Sequence, residues 1–196
     1  ITEQQFINGS GSFKKINIIA DYVKAIASQI QLAKPLKIAI DCGNAVAGAF
    51  AGELFRSIGA EVLELYCEVD GSFPNHHPDP SIPENMSELT KLVQAENCDI
   101  GLAFDGDADR LGVVTLSGRI IWPDRLLIIL AQAILKRKPG AVIVYDVKCT
   151  SLLETSIKEA GGKPLMSPTG HSIVKRIMRE QKAAIAGEMS GHIFIK

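Results

Sequence analysis

Asp105-x-Asp107-x-Asp109, followed at once by Arg110, is the densest chemical signal in the 196 residues. Carboxylates crowded into a compact loop raise one another's pKa, and a hard divalent cation removes that conflict. Mg²⁺ takes oxygen ligands in an octahedron at about 2.0–2.1 Å and is commonly completed by water and phosphate. Gly106 and Ala108 are small enough to let the loop close around an ion. An EF-hand calcium loop needs Gly at its sixth position and Glu at its twelfth, where this chain has Arg110 and Leu116. A dehalogenase-type phosphotransferase also opens on Asp-x-Asp but usually has Thr where Asp109 stands. A solvated acidic turn is the plain alternative. The apolar run Asp99–Phe104 before the loop and Arg110 after it favour the metal. Arg110 has two compatible uses. It can grip an oxygen of a phosphate at that metal, or form a salt bridge back to a loop aspartate.

Three further polar groups stand in the same kind of place, just after an apolar run. Lys148, in Asp146-Val147-Lys148-Cys149-Thr150, could clamp a phosphate or pass a proton, and taken alone it is also an ordinary surface lysine. Thr169-Gly170-His171-Ser172 is a turn before a helix, which aims N–H groups and side chains at anions, with a structural His171 as the alternative. Gly187-Glu188-Met189-Ser190-Gly191-His192 sets a carboxylate, a hydroxyl and an imidazole between glycines. That set suits adjacent sugar hydroxyls, because the glycines permit close approach; an ordinary turn is the alternative. In α/β folds the ends of the strands gather such loops on one edge. Asn75-His76-His77-Pro78-Asp79-Pro80 reads as a structural loop, since adjacent imidazoles diverge and share a metal poorly.

Alternating strands and helices must position these loops. Ile16, Ile19, Val23, Ile26 and Ile30 make one helical stripe over 16–30. Strands are expected at Leu36–Asp41, Glu61–Leu65, Asp99–Phe104, Leu111–Leu116, Ala141–Tyr145, Lys163–Met166 and Ala183–Ala186. Helices are expected at about Val46–Ile58, Glu84–Glu96, Asp124–Lys136, up to Ala160, and Ser172–Gln181. Residues 70–83, rich in Pro, Asp, Asn and Gly, read as a long loop. This is an α/β pattern of two consecutive three-layer domains with mixed, mainly parallel sheets, the second incomplete, and a seam near residues 117–123.

Composition excludes several classes. Lys plus Arg is 21 against 22 for Asp plus Glu, so neither a nucleic-acid surface nor an anionic membrane surface is indicated. The longest apolar stretch, Leu126–Leu135, is too short to span a bilayer. Cys42, Cys67, Cys98 and Cys149 form no CxxC pair, which argues against zinc and for free, buried thiols in a reducing compartment, the cytoplasm. Ile1 to Asn8 lacks the pattern of a signal peptide. The start on Ile1 and the strand-like Ile193–Lys196 suggest a piece of a longer chain.

Taken together the motifs resemble the α-D-phosphohexomutase superfamily, and within it the bacterial phosphomannomutase/phosphoglucomutase family. The resemblance rests on DCGNAVAG from Asp41, YCEVDGSFPNHHPDP from Tyr66, DGDADR from Asp105, DVKCT from Asp146, TGHS from Thr169 and GEMSGH from Gly187. It implies a linker at 1–14, the family's second domain at 15–118 and a truncated third domain at 119–196. The first and fourth domains, with the phosphoserine and the distal phosphate site, would lie outside this chain. The resemblance assigns Mg²⁺ to Asp105, Asp107 and Asp109, and gives Arg110, Lys148, His171 and His192 catalytic roles. Lys148, His171, Glu188, Met189, Ser190, Gly191 and His192 would bind the sugar. The implied ligands are a hexose phosphate and a hexose 1,6-bisphosphate, interconverted by phosphoserine transfer, with the present chain inactive by itself. Met189 stands where phosphoglucosamine mutases usually have Gln, so mannose or glucose phosphates are favoured over glucosamine phosphate. A phosphoglucosamine mutase, a dehalogenase-type phosphatase and a non-catalytic metal-binding module are the alternatives.

Overall fold

The structure, a computed structural model, describes residues 9–196. Ile1 to Asn8, which hold most of the expected linker and the stretch read for a signal peptide, lie outside the described residues. Residues 9–14 are exposed and form neither helix nor strand.

The apolar runs become strands. β1 (Lys37–Asp41) pairs in parallel with β2 (Glu61–Leu65) and with β3 (Ile100–Phe104). β3 then pairs antiparallel with β4 (Leu111–Thr115), which pairs antiparallel with β5 (Ile120–Ile121). The first sheet thus has the order β2-β1-β3-β4-β5. Side chains alternate across it. Ile38 and Ile40 pack with Ala47, Ala51 and Leu102 on one face; Ala39 and Ala103 pack with Met86, Leu89 and Val93 on the other. The first face is covered by α2 (Ala51–Ser57), on which α1 (Ile19–Ala27) packs in turn, and the second by α3 (Ser87–Ala95). Leu89 and Val93 are fully buried, each contributing about 1.5–3 kcal/mol by leaving water.

The second sheet repeats the plan. β6 (Val142–Asp146) lies parallel to β7 (Lys163–Ser167) and β8 (Ile185–Gly187), and β9 (Ile193–Ile195) returns antiparallel to β8. Its order is β7-β6-β8-β9. α4 (Pro123–Arg137) and α5 (Leu152–Glu159) cover one face through Leu127, Leu135, Leu153 and Ile157. α6 (His171–Glu180) covers the other through Val174. The expected pair of α/β units with mixed, mainly parallel sheets is what the chain forms. Among the described residues no helix is long and apolar enough to cross a membrane.

Four elements differ from the sequence reading, and one is the helix expected over Glu84–Glu96, which opens as a 3₁₀ turn, Pro83–Met86, before α3. The helix expected over 16–30 is only α1, because Ile16 and Ile30 stay exposed with nothing to cover them and Val23 alone is buried. Uncovered ends of an isolated stripe do not sustain helix. The helix expected from Val46 splits into a 3₁₀ turn, Val46–Ala49, and α2, with Phe50 between them at φ −147°. Gly48 lies there directly on the Cys67 carbonyl. β5 was not foreseen: two residues are too few to show a period, and β5 joins the first sheet although it lies beyond residue 118.

Gly48 is the tightest point of this packing, since a Cβ built on it would sit 2.0 Å from the Cys67 carbonyl oxygen. Gly48→Ala is expected to destabilise the chain by about 3 kcal/mol or more in urea denaturation. Gly71→Ala, where a Cβ meets nothing within 4 Å, should stay within about 0.5 kcal/mol of the parent.

Candidate functional site

The antiparallel return at the end of each sheet makes the site. Residues 105–110 link β3 to β4, and residues 188–192 link β8 to β9. Both loops therefore stand at the C-terminal edge of the parallel strands. The first turns sharply: Ala108 takes φ +63° and donates its N–H to the Asp105 carbonyl at 3.1 Å. The second closes through Glu188 N–H to His192 O at 3.0 Å and Gly191 N–H to Glu188 O at 3.1 Å. The two loops meet edge to edge, with Arg110 and His192 forming an antiparallel bridge. Gly191, at φ +106°, leaves room for the Arg110 side chain; a Cβ there would lie 3.3 Å from Arg110 Cβ.

Asp105, Asp107 and Asp109 each bring a carboxylate oxygen within 4.8 Å of the others. Asp105 is buried, whereas Asp107 and Asp109 are exposed. A set of three hard oxygen donors, two of them open to solvent, fits Mg²⁺ with water or phosphate on the outer side. Arg110 does fold back onto the loop. Its backbone N–H donates to Asp105 Oδ1 at 3.0 Å and its Nε to Asp105 Oδ2 at 2.5 Å. One terminal nitrogen reaches Asp79 Oδ1 at 3.4 Å. The other terminal nitrogen makes no hydrogen bond among the described residues, so the phosphate use is still open to it. Partial burial pulls the guanidinium down, but the Asp105 bond and the charges of Asp105, Asp79 and Asp109 outweigh it and hold its pKa above the ordinary value.

His192 spans the junction. Its Nε2 lies 3.3 Å from Asp109 Oδ2, its Nδ1 3.3 Å from Glu188 Oε2 and 2.8 Å from Ser190 Oγ. Glu188 is buried, and its Oε1 accepts the Gly170 N–H at 2.6 Å. That bond ties the sugar-loop candidate to the turn before α6. Next to it, Thr169 Oγ1 donates to Asp146 Oδ2 at 3.2 Å, and Asp146 Oδ1 accepts the Lys148 N–H at 3.0 Å. A continuous polar chain therefore runs from Asp109 to Lys148. Lys148 Nζ is 4.0 Å from Asp146 Oδ2, and the exposed His171 opens α6. Among the described residues neither Lys148 nor His171 touches the three aspartates. Met189 is half-buried in its loop.

Sequence reasoning passed over Asp79, Asp146 and Asp41. Each is an aspartate that braces a loop, and only the tertiary partner reveals it. Asp41, buried at the end of β1, accepts the Gly43 N–H at 2.9 Å and meets His76 Nε2 at 3.1 Å. Burial pushes its carboxyl above the ordinary value, in part opposed by the Gly43 bond and His76. His76 is also held at Nδ1, 3.0 Å from the His77 carbonyl, so the Asn75–Pro80 segment is a structural loop. A cavity of about 640 Å³ touches the site only at Asp109 and His192; α6, the segment after it and the β9 end supply the rest of its lining. The polar groups gather on the loop face, outside that cavity.

The chain was compared with known proteins. The family description "Phosphoglucomutase/phosphomannomutase, alpha/beta/alpha domain II" matches residues 20–118, and that of "domain III" matches residues 122–196. Phosphomannomutase/phosphoglucomutase from Pseudomonas aeruginosa is 53% identical over 196 residues, which are 100% of this chain and 42% of that protein. The chain thus spans about two fifths of that relative's length. A solved phosphoglucomutase/phosphomannomutase family protein from Burkholderia thailandensis superposes with TM-score 0.95 at 51% identity, over 100% of this chain and 43% of its own. An Aspergillus fumigatus N-acetylphosphoglucosamine mutase, solved with GlcNAc-6P and magnesium, shares the fold with TM-score 0.62 at 18% identity, over 91% of this chain and 39% of its own.

Asp79 gives the site an acid dependence. Burial alone would raise its carboxyl, but the Ser81 hydrogen bonds and the Arg110 charge hold it below its ordinary 3.8. Its contribution is therefore complete above pH 3.8 and is lost as pH falls through the lower folded value. Asp79→Asn should flatten that part of the stability-against-pH curve, as read by thermal melts below about pH 4. Arg110→Met, which strands the buried Asp105 carboxylate, should destabilise the chain by about 1–3 kcal/mol at neutral pH, also read by melting.

Proposed function

The chain belongs to the phosphoglucomutase/phosphomannomutase family, and from that premise we propose that it is the metal- and sugar-binding part of an enzyme that interconverts hexose 1-phosphate and hexose 6-phosphate. One observation carries the reading. The three-aspartate loop and the Glu188-Met189-Ser190-Gly191-His192 loop are joined through the Arg110–His192 bridge, which supports reading them as one site with a cation on one loop and sugar hydroxyls on the other.

Asp105, Asp107 and Asp109 would hold Mg²⁺, which when bound offsets charge on a transferring phosphoryl group. The magnesium named with the Aspergillus enzyme is in keeping with that choice. Arg110 would direct its remaining terminal nitrogen at a phosphate oxygen. Glu188 and Ser190 would accept and donate to sugar hydroxyls. An ionised carboxylate has about four acceptor sites, so Glu188 keeps capacity beyond Gly170 and His192. Lys148, His171 and His192 would serve as charge clamps and proton carriers around the reacting oxygen. The phosphoryl donor in this reading is a phosphoserine on a domain outside these residues, and the reaction passes through a hexose 1,6-bisphosphate. Mannose and glucose phosphates are the proposed substrates, on the strength of Met189 and of the Pseudomonas relative's name. The cytoplasm is the proposed location, on the strength of the free cysteines.

Two experiments test this. Adding MgCl₂ to the 196-residue chain should raise its melting temperature, and Asp107→Ala should abolish the rise; no rise in the parent chain would sink the metal site. In a coupled assay the chain alone should give no mutase turnover. A protein of the relatives' length carrying this sequence should convert mannose and glucose 1-phosphates and lose more than about 100-fold on Asp107→Ala. Turnover of glucosamine 1-phosphate in preference to both would overturn the substrate assignment.

A further inference from the structure

Cys42 and Cys67 stand 25 residues apart in sequence, yet their sulfur atoms lie 3.3 Å apart. Cys42 follows β1 and Cys67 comes two residues after β2, so the parallel pairing of those strands delivers both thiols to one place. The backbone is pinned around them. Cys42 N–H donates to Leu65 O at 3.1 Å, and Asn44 N–H donates to Tyr66 O at 2.7 Å. Gly48 presses on the Cys67 carbonyl from the far side. The sulfurs stand 3.3 Å apart, against about 2.05 Å in a disulfide.

The two thiols have different access. Cys42 is fully buried in the core that also holds Leu102 and Val113 and packs Ala108 of the metal loop. Cys67 is half-buried and meets solvent. The contact with Cys42 draws the Cys67 thiol below its ordinary pKa against the effect of burial, while the same contact and burial push Cys42 above its own. Cys67 is thus the thiol that meets an oxidant, and Cys42 the one that resolves it.

We propose that Cys42 and Cys67 are a reversible oxidation site that takes a small peroxide and forms a disulfide. The Cys67 thiolate attacks one peroxide oxygen; the O–O bond breaks, Cys67 becomes a sulfenic acid and one water leaves. Cys42 sulfur then attacks Cys67 sulfur; the S–O bond breaks, the S–S bond forms and a second water leaves with the Cys42 proton. Two thiols give up two electrons and one peroxide accepts them. A dithiol reverses the step and becomes a cyclic disulfide. The bond staples the base of the segment 68–82, which presents His76 to Asp41 and Asp79 to Arg110. It ties the redox state of the chain to the bracing of the metal loop.

Hydrogen peroxide titration of the 196-residue chain tests this. Free thiols counted after denaturation should fall from four to two, and the intact mass should drop by two hydrogens. Peptide mapping should show Cys42 joined to Cys67, and dithiothreitol should restore both. The oxidised chain should melt several degrees higher than the reduced one. Cys67→Ser should leave no crosslink, and Cys98→Ser and Cys149→Ser should leave it intact. Cys42→Ala should strand Cys67 as a sulfenic acid trapped by dimedone. If that variant fails to fold, the map of the parent chain decides alone. Sulfenic or sulfinic acid on Cys67 without a crosslink in the parent, or four thiols surviving the titration, would overturn the proposal.

Discussion

A carboxylate removed from water must be surrounded by donors or lose its charge. Asp105 is 1% exposed, and both its oxygens are met by Arg110, one through the backbone N–H and one through Nε. This pairing governs the site. Two residues five positions apart can meet so only if the chain doubles back between them, which Ala108 permits by taking a positive φ. The doubling leaves Asp107 and Asp109 on the outside, facing solvent. It also carries Arg110 onto Gly191 and so registers the first sheet's return loop on the second sheet's.

The two sheets supply equivalent scaffolds. In each, the central parallel strand ends on a buried aspartate: Asp41 after Ile40, and Asp146 after Tyr145. Each aspartate accepts the N–H two residues on, at Gly43 and at Lys148, and so shapes the turn that follows. The second oxygen marks the difference. His76 takes it in the first sheet and Thr169 in the second. The first arrangement clamps a long structural loop; the second links the turn at Lys148 to the turn before α6.

Charge at the shared edge is arranged in pairs rather than spread evenly. Asp79, Asp105 and Asp109 converge on Arg110, and Asp109 and Glu188 converge on His192. Negative groups still outnumber the cations that reach them. An imbalance of that kind suits a divalent cation, and Asp107 and Asp109 are the carboxylates left open to solvent.

Periodicity and turn chemistry were enough to read β2 to the residue and to come within two residues of the other long strands, because most are short stretches rich in Val, Ile, Leu or Ala set between turns. The acidic loop and the Glu188–His192 loop were equally legible as clusters of polar groups, since residue types and spacing are local properties. Residues 16–30 carried a helical stripe, but how much of it folded depended on what covered it, and only Val23 found cover. β5 was too short to have a pattern. Asp79, Asp146 and the Cys42–Cys67 contact were invisible for one common reason. Each is defined by a partner 23 to 31 residues away, and that proximity is created by strand pairing and loop return. The sequence alone thus determined which groups could hold a metal and a sugar. Tertiary structure decided which acids are buried, which cation holds them and which loops touch, because burial and long-range pairing are properties of the packed chain and not of any local stretch.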